Sequence, residues 1–241
     1  MKKFYDKHEL AFAIVWIVVY VNLFSMADNA SKAMGTEKLI TFPVAALMSA
    51  VLLLWLRRHG LFEKYGLCAP RAKARQFLYY LPLLLIVSCN AWFGLRLNMS
   101  VVESVLYVLT MLCVGFLEEV IFRGLLFRAM CRDGVKAAII VSSITFGIGH
   151  IVNLFNGSGA ELFATLCQVC YAVAAGFMFV IIFCRGGSLL PCIAAHSGIN
   201  MLSAFGVEAG NRGHVFTALA LCIISLGYAV YLNKSLRGNE P

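Results

Sequence analysis

Gly115-Phe116-Leu117-Glu118-Glu119-Val120-Ile121-Phe122-Arg123-Gly124 sets two glutamates and an arginine inside an apolar run from Val101 to Phe127. A run of this length suits a helix crossing a hydrocarbon core of roughly 30 Å, which takes about 20 mostly apolar residues. An ionisable group at that depth costs at least a few kcal/mol on insertion scales, and such a cost marks function. Helical spacing separates the two acids. Glu119 and Arg123 are four residues apart with the acid N-terminal, so they are neighbours on one face. Glu118 points about 100° away around the helix, without that cation. It is therefore the carboxylate available for chemistry; taken alone, the pair also fits a charge staple between two helices.

The rest of the chain supports a bilayer setting. Of 241 residues, 61% are hydrophobic and 13% charged, against roughly half and a quarter in a soluble domain. Eight candidate helices follow one another: Leu10 to Met26, Leu39 to Leu56, Phe77 to Leu97, Val101 to Phe127, Val135 to Phe155, Leu162 to Cys184, Leu189 to Gly206, and Val215 to Leu232. Turn signals such as Asn156-Gly157-Ser158-Gly159 and Arg185-Gly186-Gly187-Ser188 separate them. The expectation is an all-α, polytopic bundle of about eight spans, one membrane domain over residues 1–241. Lys2, Lys3 and Lys7 ahead of an apolar run imitate a signal peptide. The run is longer than an h-region and further spans follow, so an uncleaved first span is expected.

The formal net charge of +8 lies mostly in short loops, where it reads as a topology signal and gives no reason to expect nucleic acid as a partner. With an N-in start, one side collects Arg57, Arg58, the basic loop up to Arg75, Arg128, Arg132, Lys136, Arg185, Lys234 and Arg237. The other keeps Lys32, Lys38, Arg96 and Arg212. N-in and C-in is the self-consistent orientation. Nine cysteines, most of them in apolar spans, imply no disulfide framework. Cys167-x-x-Cys170 has neither a second pair nor a βαβ setting to make it a zinc or redox site.

Two histidines also stand in apolar surroundings, His150 in Phe146-Gly147-Ile148-Gly149-His150 and His196 in Ala194-Ala195-His196-Ser197-Gly198-Ile199-Asn200. At 1.5 Å per residue, Glu118, His150 and His196 lie roughly 15, 20 and 12 Å from the basic ends of their helices. All three thus reach a similar level near mid-membrane, slightly toward the cytoplasmic side. Asn200 is one turn beyond His196 on the same face, where its amide can donate to the same pocket. Gly147, Gly149 and Gly198 are small enough to let helices or a substrate approach closely.

The ordered set Glu118-Glu119-x-x-x-Arg123, Phe146-x-x-x-His150 and His196-x-x-x-Asn200 closely resembles the CPBP family of intramembrane endopeptidases, the CAAX proteases and bacteriocin-processing enzymes also called Abi proteins. The resemblance covers roughly residues 101–205. It implies a peptidase with its active site inside the bilayer, acting on a membrane-associated or lipidated peptide, in a bacterial cytoplasmic membrane. Carried over by motif, Glu118 and His150 activate a water, His196 and Asn200 stabilise the oxyanion, and Glu119 with Arg123 supports the site. No cofactor is expected. Zinc is the alternative, because two histidines and a glutamate are a possible ligand set, although no H-E-x-x-H is present. Membrane lipid and the peptide are the expected partners, and the oligomeric state is left open. A proton-coupled transporter is the competing class, but no inverted repeat is visible. A non-cleaving immunity protein of the same fold is the third.

Overall fold

The computed structural model describes residues 1–156 and 159–236. Gly157 and Ser158 of one turn signal, and Arg237 and Glu240 of the tail, lie outside the described residues. Among the described residues the fold is helical, with one isolated antiparallel bridge between Leu95 and Gly206.

Among the described residues, six helices are long and apolar enough to cross a membrane: α1 (Glu9–Ala33), α2 (Thr41–Arg58), α4 (Val101–Met130), α5 (Val135–Leu154), α6 (Leu162–Gly186) and α8 (Asn211–Ser235). Two shorter helices, α3 (Leu81–Val87) and α7 (Leu190–Leu202), complete the bundle. They stand where the sequence led us to expect two further spans, Phe77 to Leu97 and Leu189 to Gly206. Phe77 to Leu97 is broken by local chemistry. Leu78, Tyr79 and Tyr80 adopt left-handed backbone at φ 50, 51 and 58°, and Pro82 starts a fresh helix in its first turn. Proline has no N–H to donate and a φ already suited to a helix start. At seven residues α3 is only about 10 Å long. Pro191 sets the start of α7 in the same way.

Each long helix buries one face. In α1, Phe12, Trp16, Tyr20 and Ala27 are buried, at spacings of four and seven that share a face. Ile14, Val15, Val18 and Met26 are exposed, apolar residues facing outward as a lipid-facing surface requires. The helix α4 opens on a reciprocal cap. Ser100 Oγ accepts from the Glu103 N–H, and Glu103 Oε2 accepts from the Ser100 N–H. Such a box satisfies two otherwise orphaned donors.

The two ends of the bundle differ. At one end Glu9 is gripped by Lys64 at 2.5 Å, Arg132 at 3.0 Å and the Tyr65 hydroxyl at 2.8 Å. There the Arg71 N–H donates to Gly186 and the Leu189 N–H to Gly66, fastening the basic 57–75 loop under α6 and α7. At the other end Lys38 pairs with Asp28 at 2.8 Å, and the Glu37 N–H donates to Glu103.

Close helix packing fixes the height of the site. A Cβ on Gly115 of α4 would sit 2.1 Å from Ser197 Oγ and 2.7 Å from Ser197 N on α7. Backbone stands in the way, so Gly115→Ala is expected to force α4 and α7 apart at a cost of about 1–3 kcal/mol. Gly149→Ala, with nothing within 4 Å of its Cβ, is the control. Thermal unfolding in detergent should separate the two variants, and equal midpoints would refute the close approach.

Candidate active site

Three helices deliver the ionisable residues to one place. Glu118 and Glu119 lie where α4 changes from α to π winding, over Glu119–Leu126. Segments of this kind often occur at functional sites, because the added residue redirects side chains. Ser142 of α5 supports the segment by donating from its Oγ to the Phe122 carbonyl at 2.8 Å. His150 sits where α5 tightens into a 3₁₀ turn over His150–Leu154. His196 and Asn200 are one turn apart on α7.

Glu119 and Arg123 are fully buried and 3.1 Å apart, as the four-residue spacing predicted. Glu119 does more than pair with arginine: its Oε1 also meets His196 Nδ1 at 2.9 Å. A carboxylate only accepts, so Nδ1 is assigned as the donor. The opposite ring nitrogen, Nε2, then points at Glu118 Oε2, 3.5 Å away. His196 therefore bridges the two acids. Phe146 and Phe179 complete the support. The Arg123 guanidinium lies 3.8 Å from the Phe146 centroid and 5.5 Å from that of Phe179, a stacking that stabilises a buried cation. The same two rings flank His196, at 5.5 and 6.1 Å. Phe146 also meets His150 edge-on at 5.3 Å.

Glu118 has a partner that sequence reasoning missed. Tyr20, buried on α1, donates its hydroxyl to Glu118 Oε1 at 2.5 Å. A phenol in the middle of the apolar run Leu10 to Met26 was the available signal, a polar tip that must find a partner when buried. The contact leaves Oε2 as the Glu118 oxygen facing His196.

Glu118, His150 and Asn200 all line one cavity of about 300 Å³, together with Tyr20. His196 reaches this group from below through Glu118 and is itself nearly fully buried. At the far end of the cavity stand Asp28 and Lys38. Burial alone would pull the Lys38 ammonium down, but Asp28 at 2.8 Å and Glu37 hold it above its ordinary value, so the lysine stays charged. Of the glycines singled out in the sequence, Gly147 packs against Val173 of α6, while Gly149 lines the cavity.

Residues 100–202, from the cap of α4 to the end of α7, match the family model described as type II CAAX prenyl endopeptidase Rce1-like. Over this stretch the chain is similar to the Rce1-like family. The match takes in all seven motif residues and accords with the intramembrane endopeptidase resemblance. Together with the six long apolar helices, this similarity to a protease family points to an integral membrane protein. No curated protein and no solved structure matches the chain. Tyr20 and Asn90, both on the cavity wall, lie outside the Rce1-like stretch.

Proposed function

We propose that the chain is an intramembrane endopeptidase that cleaves a membrane-associated or hydrophobic peptide with a water activated by Glu118, in a bacterial cytoplasmic membrane with both termini inside. The observation that carries this reading is the carboxylate of Glu118, anchored through one oxygen by Tyr20 and facing His196 with the other, in a cavity shared with His150 and Asn200. A general base is effective when it is positioned within reach of the proton it takes. Water adds to the peptide carbonyl as Glu118, assisted by His150, takes its proton. The C–N bond then breaks, and the same proton passes to the leaving amine. Asn200 donates to the oxyanion. His196 joins it only with a second proton on Nε2, because Nδ1–H is committed to Glu119. Preorganised donors of this kind are worth several kcal/mol at a transition state. Glu119 and Arg123 hold His196 in line.

The reading is metal-free. A histidine whose Nδ1 is held by a carboxylate suits a metal ligand as well as an oxyanion donor. Among the described residues, however, no three His, Cys, Asp or Glu side chains are grouped to hold one ion. The orientation rests on the basic end of the bundle, which collects Arg57, Arg58, Lys64, Arg71, Arg128 and Arg132, as cytoplasmic loops do.

Comparison of membrane peptides from cells carrying the intact chain and the Glu118→Ala form tests the activity. Fragments present only with the intact chain are expected, and identical peptide sets would defeat the proposal. Purified protein should keep its cleavage activity after chelation; loss that is restored by zinc would replace the glutamate mechanism with a metal one.

A further inference from the structure

The cavity leaves the bundle at the end opposite the basic loops. Of its described lining, nothing comes from residues 42–89, 123–145 or 172–198, the three stretches that contain those loops. From Glu118 it passes Met111 and Asn153 to reach Ser203 and Ala160, both exposed. In the other direction the way is closed. Tyr65, Ile121, Leu125 and Phe127 are fully buried beneath the glutamates, and the Glu9 network with Lys64, Tyr65 and Arg132 covers that end.

The two sides of the cavity differ in chemistry. Asn90, Asn153, Asn156, Gln168 and Asn200 line it from the turn after α3, from α5 and the turn after it, and from α6 and α7. Part of this wall is already chained: Asn156 Nδ2 donates to Asn153 Oδ1, and Asn153 Nδ2 to Gln168 Oε1. Carboxamides both donate and accept, which matches the alternating N–H and C=O groups of an extended main chain. Val21 and Phe24 of α1 and Met111 and Val114 of α4 give the other side apolar surface, interspersed with the hydroxyls of Ser25, Tyr107 and Thr110. The charges at the mouth, Asp28 and Lys38, are spent on each other.

We propose that this cavity receives an extended, uncharged stretch of peptide presented on the extracytoplasmic face, as part of an exported or membrane-anchored chain. The direction follows from the cavity's exit combined with the positive-inside orientation; the occupant follows from a row of carboxamides facing a side of apolar surface and uncharged hydroxyls. It rests on the orientation and the peptidase activity proposed above, and it places the substrate's scissile segment outside the cytoplasm.

Cysteine accessibility of the full chain tests it, with Ser203→Cys at the mouth, Met111→Cys between mouth and Glu118, and Lys73→Cys in the basic loop. A small cationic thiosulfonate that does not cross membranes is applied to spheroplasts, and the modified residue is located by mass spectrometry so that native cysteines are told apart. Ser203→Cys and Met111→Cys are expected to react in intact spheroplasts, and Lys73→Cys only after permeabilisation. The reversed pattern overturns outside delivery by inverting the orientation. Reaction of all three from one side overturns the path of the cavity. None of these outcomes depends on cleavage, so failure of the peptidase reading shows separately, as unchanged peptide sets. Where Glu118-dependent fragments are found, they should derive from extracytoplasmic segments, and fragments from cytoplasmic segments overturn the substrate assignment.

Discussion

Glu118→Gln is expected to lower peptide cleavage by roughly 10² to 10⁴-fold, the usual contribution of a positioned acid–base group, without loss of folded protein. The amide keeps the shape of the side chain and an oxygen for the Tyr20 hydroxyl, but it cannot take a proton from water. Thermal midpoint in detergent should stay at the wild-type value while the rate falls. Glu118→Ala removes the same base and also strands a buried phenol, so it should be inactive and modestly destabilised. Tyr20→Phe separates positioning from chemistry. It leaves the carboxylate in place without its donor, and a drop of about tenfold corresponds to the roughly 1.5 kcal/mol that hydrogen bonds to charged groups can contribute. A Glu118→Gln protein that still cleaves at a rate close to wild type would remove this residue from the reaction.

Arg123→Ala should have the largest effect on stability. Both members of the Glu119–Arg123 pair are fully buried, and removing one partner of such a pair costs about 3–5 kcal/mol because the other charge is left uncompensated. The loss extends to the aromatic stack, since Phe146 and Phe179 would face a void where the guanidinium lay. Thermal unfolding in detergent should show the drop. Adding Glu119→Gln to Arg123→Ala should recover part of it, because no unpaired charge then remains. Arg123→Lys keeps the charge but lacks the flat guanidinium that stacks between two rings, so an intermediate midpoint is expected. A wild-type midpoint for Arg123→Ala would show that the pair is not a structural support.

The glutamate pair, both histidines and Asn200 were legible because polar residues in apolar runs are conspicuous, and helical spacing was enough to marry Glu119 to Arg123. Other features left a fainter trace or none. The π winding over Glu119–Leu126 depends on how the backbone hydrogen bonds are shared with Ser142, which no spacing rule encodes. Tyr20 is nearly a hundred residues from its partner in the chain and reads locally as one more span residue. The shortness of α3 and α7 was masked by hydropathy, which measures apolar length and does not register three left-handed residues ahead of Pro82.

The sequence by itself determined that this is a helical membrane protein, that Glu119 answers Arg123, and which seven residues carry the resemblance to the intramembrane endopeptidases. These follow from composition and from contacts within one helix or one motif, where position along the chain is position in space. Only the tertiary structure decided that His196 bridges both glutamates, that Tyr20 holds Glu118, and that the cavity leads away from the basic loops. Each of these depends on which helices lie side by side and how deeply, and that is set by packing contacts such as Gly115 against Ser197, between residues far apart in the chain.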